Sequence, residues 1–216
     1  MKRLNVMDTS EVNDNAPSLS FLQMTIKRAF DLSAALLGLL VSWWLILLAF
    51  LVASLDTRSN GFFIQSRVGK GGKIIRVVKI KTMRPDSKTI TTVTRSGDPR
   101  ITPLGRFFRK TKIDELPQLW NVLLGQMSFV GPRPDVPGYA DQLTGEDCAV
   151  LSLRPGITGP ATLKYRDEEE ILASQDDPER YNREVIYPDK VQINLQYIRE
   201  WSFFGDLRYI VATVLG

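Results

Sequence analysis

Between Asp31 and Asp56 the chain carries 24 consecutive residues without a formal charge, among them Leu36, Leu37, Trp43, Trp44, Ile46, Leu47, Leu48 and Phe50. A helix needs about 20 such residues to match the hydrocarbon core of a bilayer. A helix apolar on every side does not suit the surface of a small domain, so the pattern predicts a membrane-inserted helix over 21–56; a helix buried in a soluble core is the alternative. Lys27 and Arg28 precede the run, and Arg58, Arg67, Lys70, Lys73 and Arg76 follow it. Both flanks therefore look cytoplasmic. That implies a re-entrant element which enters and leaves one leaflet. Polar Ser42, beside Trp43 and Trp44, marks the bend, where its hydroxyl can partner a freed backbone group.

Residues 1–20 are polar and without periodicity, which predicts a mobile tail rather than a cleaved signal. Over 61–83, short apolar runs alternate with basic residues around Gly69, Gly71 and Gly72, the pattern of a hairpin with glycines at its turn. Residues 84–100 read as polar loop. Leu104, Phe107 and Phe108 among Arg106, Arg109, Lys110 and Lys112 predict a short basic amphipathic helix lying on lipid. Leu116, Leu119, Trp120, Leu123 and Leu124 follow helical spacing up to Gly125, and predict a helix headed by Asp114-Glu115. Two prolyl-glycyl turns follow, Gly131-Pro132-Arg133-Pro134 and Arg154-Pro155-Gly156. An acidic surface segment covers 166–184. From Val191 the pattern is one amphipathic helix with an aromatic end, Trp201, Phe203 and Phe204.

Composition narrows the chemistry. The 216 residues are 44% apolar and 24% charged, an ordinary globular balance. Histidine is absent and Cys148 is the single cysteine. Catalytic triads, histidine acid–base chemistry, histidine-bound zinc and an internal disulfide are excluded. Carboxylates, Lys, Arg, hydroxyls, backbone groups or a borrowed cation remain. The net charge of +4 conceals segregation: residues 21–112 carry 17 Lys/Arg against 4 Asp/Glu, and residues 113–216 carry 9 against 17. The basic half suggests phosphate-bearing partners, such as anionic lipid, nucleotide or nucleic acid, or else a solvated basic face.

Asp114 and Glu115 admit two readings. As structure, Asp114 caps the helix, with Glu115 and Pro117 in its first turn. As chemistry, a carboxylate at a helix start beside Arg109, Lys110 and Lys112 is a nucleophile or magnesium ligand. Arg133, rigidly held between two prolines, is either an exposed turn residue or a bidentate phosphate clamp, and Arg154 repeats that ambiguity. The glycines of 69–72 match neither a P-loop nor a dinucleotide fingerprint.

The ordered string of motifs resembles the bacterial sugar transferase family, the monotopic phosphoglycosyl transferases. It comprises Lys27-Arg28-x-x-Asp31, Gln65-x-Arg67-Val68-Gly69, Lys79-x-Lys81-Thr82-Met83, Asp98-Pro99-Arg100-Ile101-Thr102, Asp114-Glu115-Leu116-Pro117-Gln118-Leu119, Met127-Ser128-x-Val130-Gly131-Pro132-Arg133-Pro134 and Arg154-Pro155-Gly156-Ile157-Thr158-Gly159. The likeness runs from about residue 25 to the C-terminus. It implies an α/β membrane-associated fold with a re-entrant membrane helix over 21–56, interfacial amphipathic helices and a small sheet, and a catalytic domain over 57–216. It also implies an enzyme that moves a phospho-sugar from a UDP-sugar to undecaprenyl phosphate, releases UMP and needs Mg2+. This is a first membrane step of glycan or exopolysaccharide assembly, at the cytoplasmic face of the bacterial inner membrane among its lipids, with no nucleic acid involved. By that likeness Asp114 is the nucleophile and metal contact, Glu115 assists, and Arg133, Arg154 and Lys81 hold phosphate.

Three departures stand out: Ser42-Trp43 where the family has Ser-Pro, Gly159-Pro160-Ala161-Thr162-Leu163-Lys164-Tyr165-Arg166 for Gly-Trp-Ala-Gln-x-x-Gly-Arg, and Asn194 for an Asp. The later two fall where sugar or acceptor choice is set. A non-catalytic membrane scaffold and a membrane-tethered nucleic-acid binder are the rival readings. The first makes Asp114 a mere cap, and the second rests on the basic half alone.

Overall fold

Ser20 opens the first helix, α1 (Phe21–Thr57), with a reciprocal cap: its Oγ accepts from Gln23 N at 3.3 Å, and Gln23 Oε1 accepts from Ser20 N at 2.8 Å. The computed structural model describes residues 17–84 and 98–215, so 1–16 of the expected tail and 85–97 of the expected loop lie outside it. The helix has 37 residues and is uninterrupted, so the expected break at Ser42 is corrected. No proline removes an amide there, and the Ser42 hydroxyl donates to Gly38 O at 2.6 Å within the intact ladder. The helix stops at Arg58, which takes a left-handed conformation (φ 51°, ψ 37°).

One stripe of α1 faces protein from end to end: Lys27, Asp31, Ala35, Ala49, Ala53 and Thr57 are all buried. Small residues there let the neighbouring chain approach closely. The other faces are bare, with Leu36, Leu37, Leu40, Val41, Trp43, Trp44, Leu47, Leu48 and Leu51 each at least half exposed.

Strands β1 (Phe62–Val68) and β2 (Ile74–Ile80) form the antiparallel hairpin that the glycines predict. Gly71 and Gly72 supply the positive φ of its turn. Helix α2 (Pro103–Lys110) is capped by Thr102, whose Oγ1 accepts from Gly105 N at 2.8 Å. A short turn, Ile113–Glu115, leads to α3 (Gln118–Leu123).

This region differs from the sequence pattern. The helix is six residues long, and it buries Gln118, Leu119, Asn121 and Val122, whereas Trp120 and Leu124 are exposed. Asn121 explains the rotation. Its Nδ2 donates to Arg76 O at 2.7 Å and its Oδ1 accepts from Val78 N at 3.1 Å, which ties α3 to the free edge of β2.

Three-residue strands that the sequence reading missed flank the two prolyl-glycyl turns, β3 (Ser128–Val130) before the first and β4 (Gly156–Thr158) leaving the second, paired in parallel. Their glycines are needed because a Cβ on Gly131, Gly156 or Gly159 would collide with the facing backbone. From Pro160 onwards the chain is largely helical: α4 (Pro160–Lys164), α5 (Glu168–Ala173), α6 (Pro178–Tyr181), α7 (Tyr187–Arg199) and α8 (Phe203–Leu215). The expected single C-terminal helix is therefore two. The core is divided among small clusters, one joining Leu19 to Val130, Leu153, Tyr197 and Ile198, another joining Ala35 to Ile75, Val77, Val122 and Met127.

Candidate functional site

The predicted dyad sits on a turn built to aim it. Lys112 ends the approach from α2 in the left-handed region (φ 58°, ψ 13°), a conformation unusual for a side-chain-bearing residue. The chain then turns tightly through Ile113, Asp114 and Glu115. Asp114 caps nothing: Pro117 holds the N-cap position of α3, with no side-chain cap bond. Of the two readings of Asp114, the capping one is therefore set aside. Instead the Asp114 carboxylate is buried, and its Oδ1 has no hydrogen-bond partner among the described residues.

Glu115 is the opposite case. Its Oε1 accepts from Lys79 Nζ at 2.9 Å and from Arg133 Nη2 at 3.0 Å. Burial pushes its carboxyl up, but the charges of Arg133 and Lys79 outweigh that and hold it well below the usual carboxylate range. Asp114 is pushed up to about 6 by burial and by the Glu115 charge, against the pull of Lys79, Arg109 and Lys112. Two adjacent carboxylates thus have divided roles: one is locked ionised in an ion-pair cluster, and the other is held free and basic.

The cluster comes from both halves of the chain. Lys79 follows Ile75 and Val77 at two-residue spacing along β2, on the same face of the strand as those buried side chains. Arg67 stands opposite Ile75 in the hairpin register. It donates to Gln65 Oε1 at 2.6 Å and to Pro134 O at 3.0 Å, while Val68 N donates to Asp135 O at 2.8 Å. The Gln65-x-Arg67-Val68 motif therefore braces the Pro132-Arg133-Pro134 loop that presents Arg133 to Glu115. Arg109 closes another side, with Nε on Thr82 Oγ1 and Nη1 on Glu169 Oε1, both at 3.0 Å. Asp135 lies behind the loop, pushed up to about 6 by burial against Lys190 and Arg67. Lys190 in turn holds both oxygens of Glu168 at 2.7 Å.

Of the sequence candidates, Asp114, Glu115 and Arg133 meet here. Lys81 does not: its Nζ donates to Ser59 Oγ at 3.0 Å beside the end of α1. Nor does Arg154, whose Nε donates to Gly125 O at 2.8 Å on the far end of α3. Lys79, Arg67 and Asp135 join the candidate site without having been assigned to it from the sequence, whereas Arg109 was noted beside the dyad. A cation on the core-facing phase of an apolar strand was the available signal for Lys79. The two later departures lie on α4 and α7, which pack together, and Thr162 Oγ1 and Asn194 Oδ1 are buried there without partners among the described residues.

The chain is 37% identical to "Undecaprenyl-phosphate glucose phosphotransferase" of Komagataeibacter xylinus over 91% of its own length and 36% of that protein. It is 35% identical to "UDP-glucose:undecaprenyl-phosphate glucose-1-phosphate transferase" of Escherichia coli (strain K12) over 91% of its length and 41% of the relative. It is also 35% identical to "Exopolysaccharide production protein PSS" of Rhizobium leguminosarum bv. phaseoli, over 90% of this chain and 96% of that one. It thus spans about two fifths of the first two relatives and nearly the whole of the third. Residues 22–216 match the bacterial sugar transferase family, and the chain belongs to it.

Proposed function

We propose that this protein is a phosphoglycosyl transferase that moves a phospho-sugar from a UDP-sugar to undecaprenyl phosphate through a covalent intermediate on Asp114, as an early membrane step of exopolysaccharide assembly. The observation that carries the reading is the buried Asp114 carboxylate, whose Oδ1 has no partner among the described residues, beside a Glu115 held by two cations. An Asp114 oxygen bonds to the sugar-linked phosphorus as the bond from that phosphorus to UMP breaks. The acceptor phosphate oxygen then attacks the same phosphorus and frees the carboxylate. Arg133 and Lys79, already converged on Glu115, offset the negative charge that builds on the phosphoryl oxygens. The names of the relatives support UDP-sugar and undecaprenyl phosphate as donor and acceptor.

The residues fit a magnesium ion in its usual substrate-assisted form. No group of three or more metal-ligating side chains occurs among the described residues, but Mg2+ is commonly held by one or two carboxylates plus substrate phosphates. The orphaned Asp114 oxygen, with Glu115 adjacent, supplies such a pair. When bound there, the ion would neutralise charge on the diphosphate.

The bare apolar faces of α1, with Leu37, Leu40, Val41 and Trp43 more than half exposed, support insertion into lipid, as do exposed Phe107, Trp120, Leu124 and Phe204 for an interfacial posture. Because both ends of α1 pack on one body, we place both at the cytoplasmic face of the bacterial inner membrane. The scaffold reading loses its premise, since Asp114 caps no helix. The nucleic-acid reading weakens because Lys27, Lys79, Arg28 and Arg67 turn inward. The test is incubation of the full chain with a panel of UDP-sugars and magnesium, without acceptor. One sugar should release about one equivalent of UMP and add a phosphosugar mass to the Asp114 peptide. Release without that label, or a label on another peptide, would sink the covalent route.

A further inference from the structure

Three cations converge at the foot of α1, apart from the Asp114–Glu115 site. Arg28 reaches to the end of α3, its Nη1 donating to Val122 O at 2.7 Å and its Nη2 to Leu123 O at 3.0 Å. Arg154 reaches the same place from the strand side. A Cβ on Gly125 would meet Arg28 Nη2 at 3.2 Å and Arg154 Nε at 4.0 Å, so both guanidinium groups crowd one glycine. Lys70, at the tip of the β1–β2 hairpin, lines the same small, open crevice.

The other charges in the crevice are already spent. Lys27 is paired with Asp206 at 2.6 Å, and Asp31 accepts from Ser128 Oγ and Phe129 N, both at 3.0 Å. The Lys70 ammonium and the terminal nitrogens of Arg154 form no hydrogen bond or ion pair among the described residues. Burial and the Arg154 charge also hold the Lys70 pKa below its ordinary value. Donors left free in a cationic crevice suit an anion that both can reach.

We propose that this crevice binds the phosphate of a membrane-lipid headgroup. Its position selects lipid over a soluble anion. It opens beside the first turns of α1, where Phe21, Leu22 and Ile26 point outward, and the uncharged run begins four residues after Arg28. Leu19, Met24 and Leu153 line it as well, apolar neighbours for the carbons next to the phosphate. A glycerophospholipid diester and a polyprenyl monoester both present anionic phosphate oxygens to such donors. The inference does not depend on the reaction at Asp114.

Thermal unfolding of the full chain in neutral detergent tests it. The probes are dihexanoyl phosphatidylglycerol, farnesyl phosphate, dihexanoyl phosphatidylcholine and sodium phosphate. A ligand that binds only the folded state raises the midpoint saturably. At least one of the two anionic lipids should do so, and the one that does identifies the source, while the zwitterionic lipid and inorganic phosphate should not match it. Lys70→Gln/Arg154→Gln should abolish the shift, and Arg154→Lys, which keeps the charge, should retain most of it. Because Arg154 also holds Gly125 O, Lys70→Gln alone is the second variant: it should weaken apparent affinity at least fivefold while leaving the lipid-free midpoint in place. An undiminished shift in the double variant and in Lys70→Gln, or equal shifts from phosphatidylcholine or inorganic phosphate, would overturn the proposal.

Discussion

At the scale of single residues, the two neighbouring carboxylates make separable predictions. Asp114, with its folded pKa pushed up to about 6, favours folding while protonated. That contribution is complete below the unfolded value and is lost as the pH rises through about 6. Asn carries no such charge. Asp114→Asn should therefore abolish transfer yet unfold at a higher temperature than wild type at about pH 8, a gain of up to roughly 3 kcal/mol that closes towards about pH 4. Thermal scans across that range check it, and a loss of stability at about pH 8 would contradict the unpartnered state of this carboxylate. Arg133→Lys keeps the charge but loses the planar fork, and should lower the transfer rate about 10- to 100-fold, the scale of one charged hydrogen bond. Full activity would reduce Arg133 to a surface residue. The sequence showed these residue types and left Asp114 open between a cap and a reacting carboxylate. Asp114 followed by Pro117 carries a cap signal, and only the left-handed Lys112 turns the carboxylate inward instead.

At the scale of elements, the polar foot of α1 decides how the helices assemble. Lys27, Arg28 and Asp31 each grip a different partner: Asp206 on α8, the last carbonyls of α3, and the start of β3. Asp206 is the hub, since its carboxylate also accepts from Tyr197 OH at 2.6 Å and from Trp201 Nε1 at 3.1 Å. Asp206→Ala strands a buried ammonium and should cost about 3–5 kcal/mol. Lys27→Met/Asp206→Leu removes both charges and should recover most of that loss. Unfolding midpoints of the three proteins would show it, and a double variant as weak as the single would mean that Asp206 acts through Tyr197 and Trp201 instead. The hairpin and the long helix were legible because glycines and an unbroken apolar run are local signals. The β3–β4 pair was not, because three-residue strands carry no period and their register is set by glycines on separate loops. The orientation of α3 was equally hidden, since it follows from Asn121 finding the backbone of β2.

At the scale of the whole molecule, the reading rests on how α1 meets the bilayer. Its 37 residues would extend about 55 Å if straight, well beyond the roughly 30 Å of a hydrocarbon core. Ser18 and Asn60, exposed near its two ends, should both be closed to a membrane-impermeant thiol reagent in intact cells, once each is changed to Cys in a Cys148→Ser background. Both should react after the inner membrane is permeabilised. Labelling of Ser18→Cys alone from outside would mean a true span. The basic flanks were readable from sequence, whereas the contact of α1 with its own domain along one whole stripe was not, because alanines facing protein and leucines facing outward are equally apolar. That stripe has a practical consequence. A fragment beginning at residue 58, made to obtain a soluble enzyme, would uncover Ile75, Val77, Val122 and Met127, the packing partners of Ala35. It would also leave the α3 carbonyls without Arg28, and Asp206 without its cation. Such a fragment should aggregate rather than catalyse, so detergent or lipid discs, and not truncation, are the route to an active preparation.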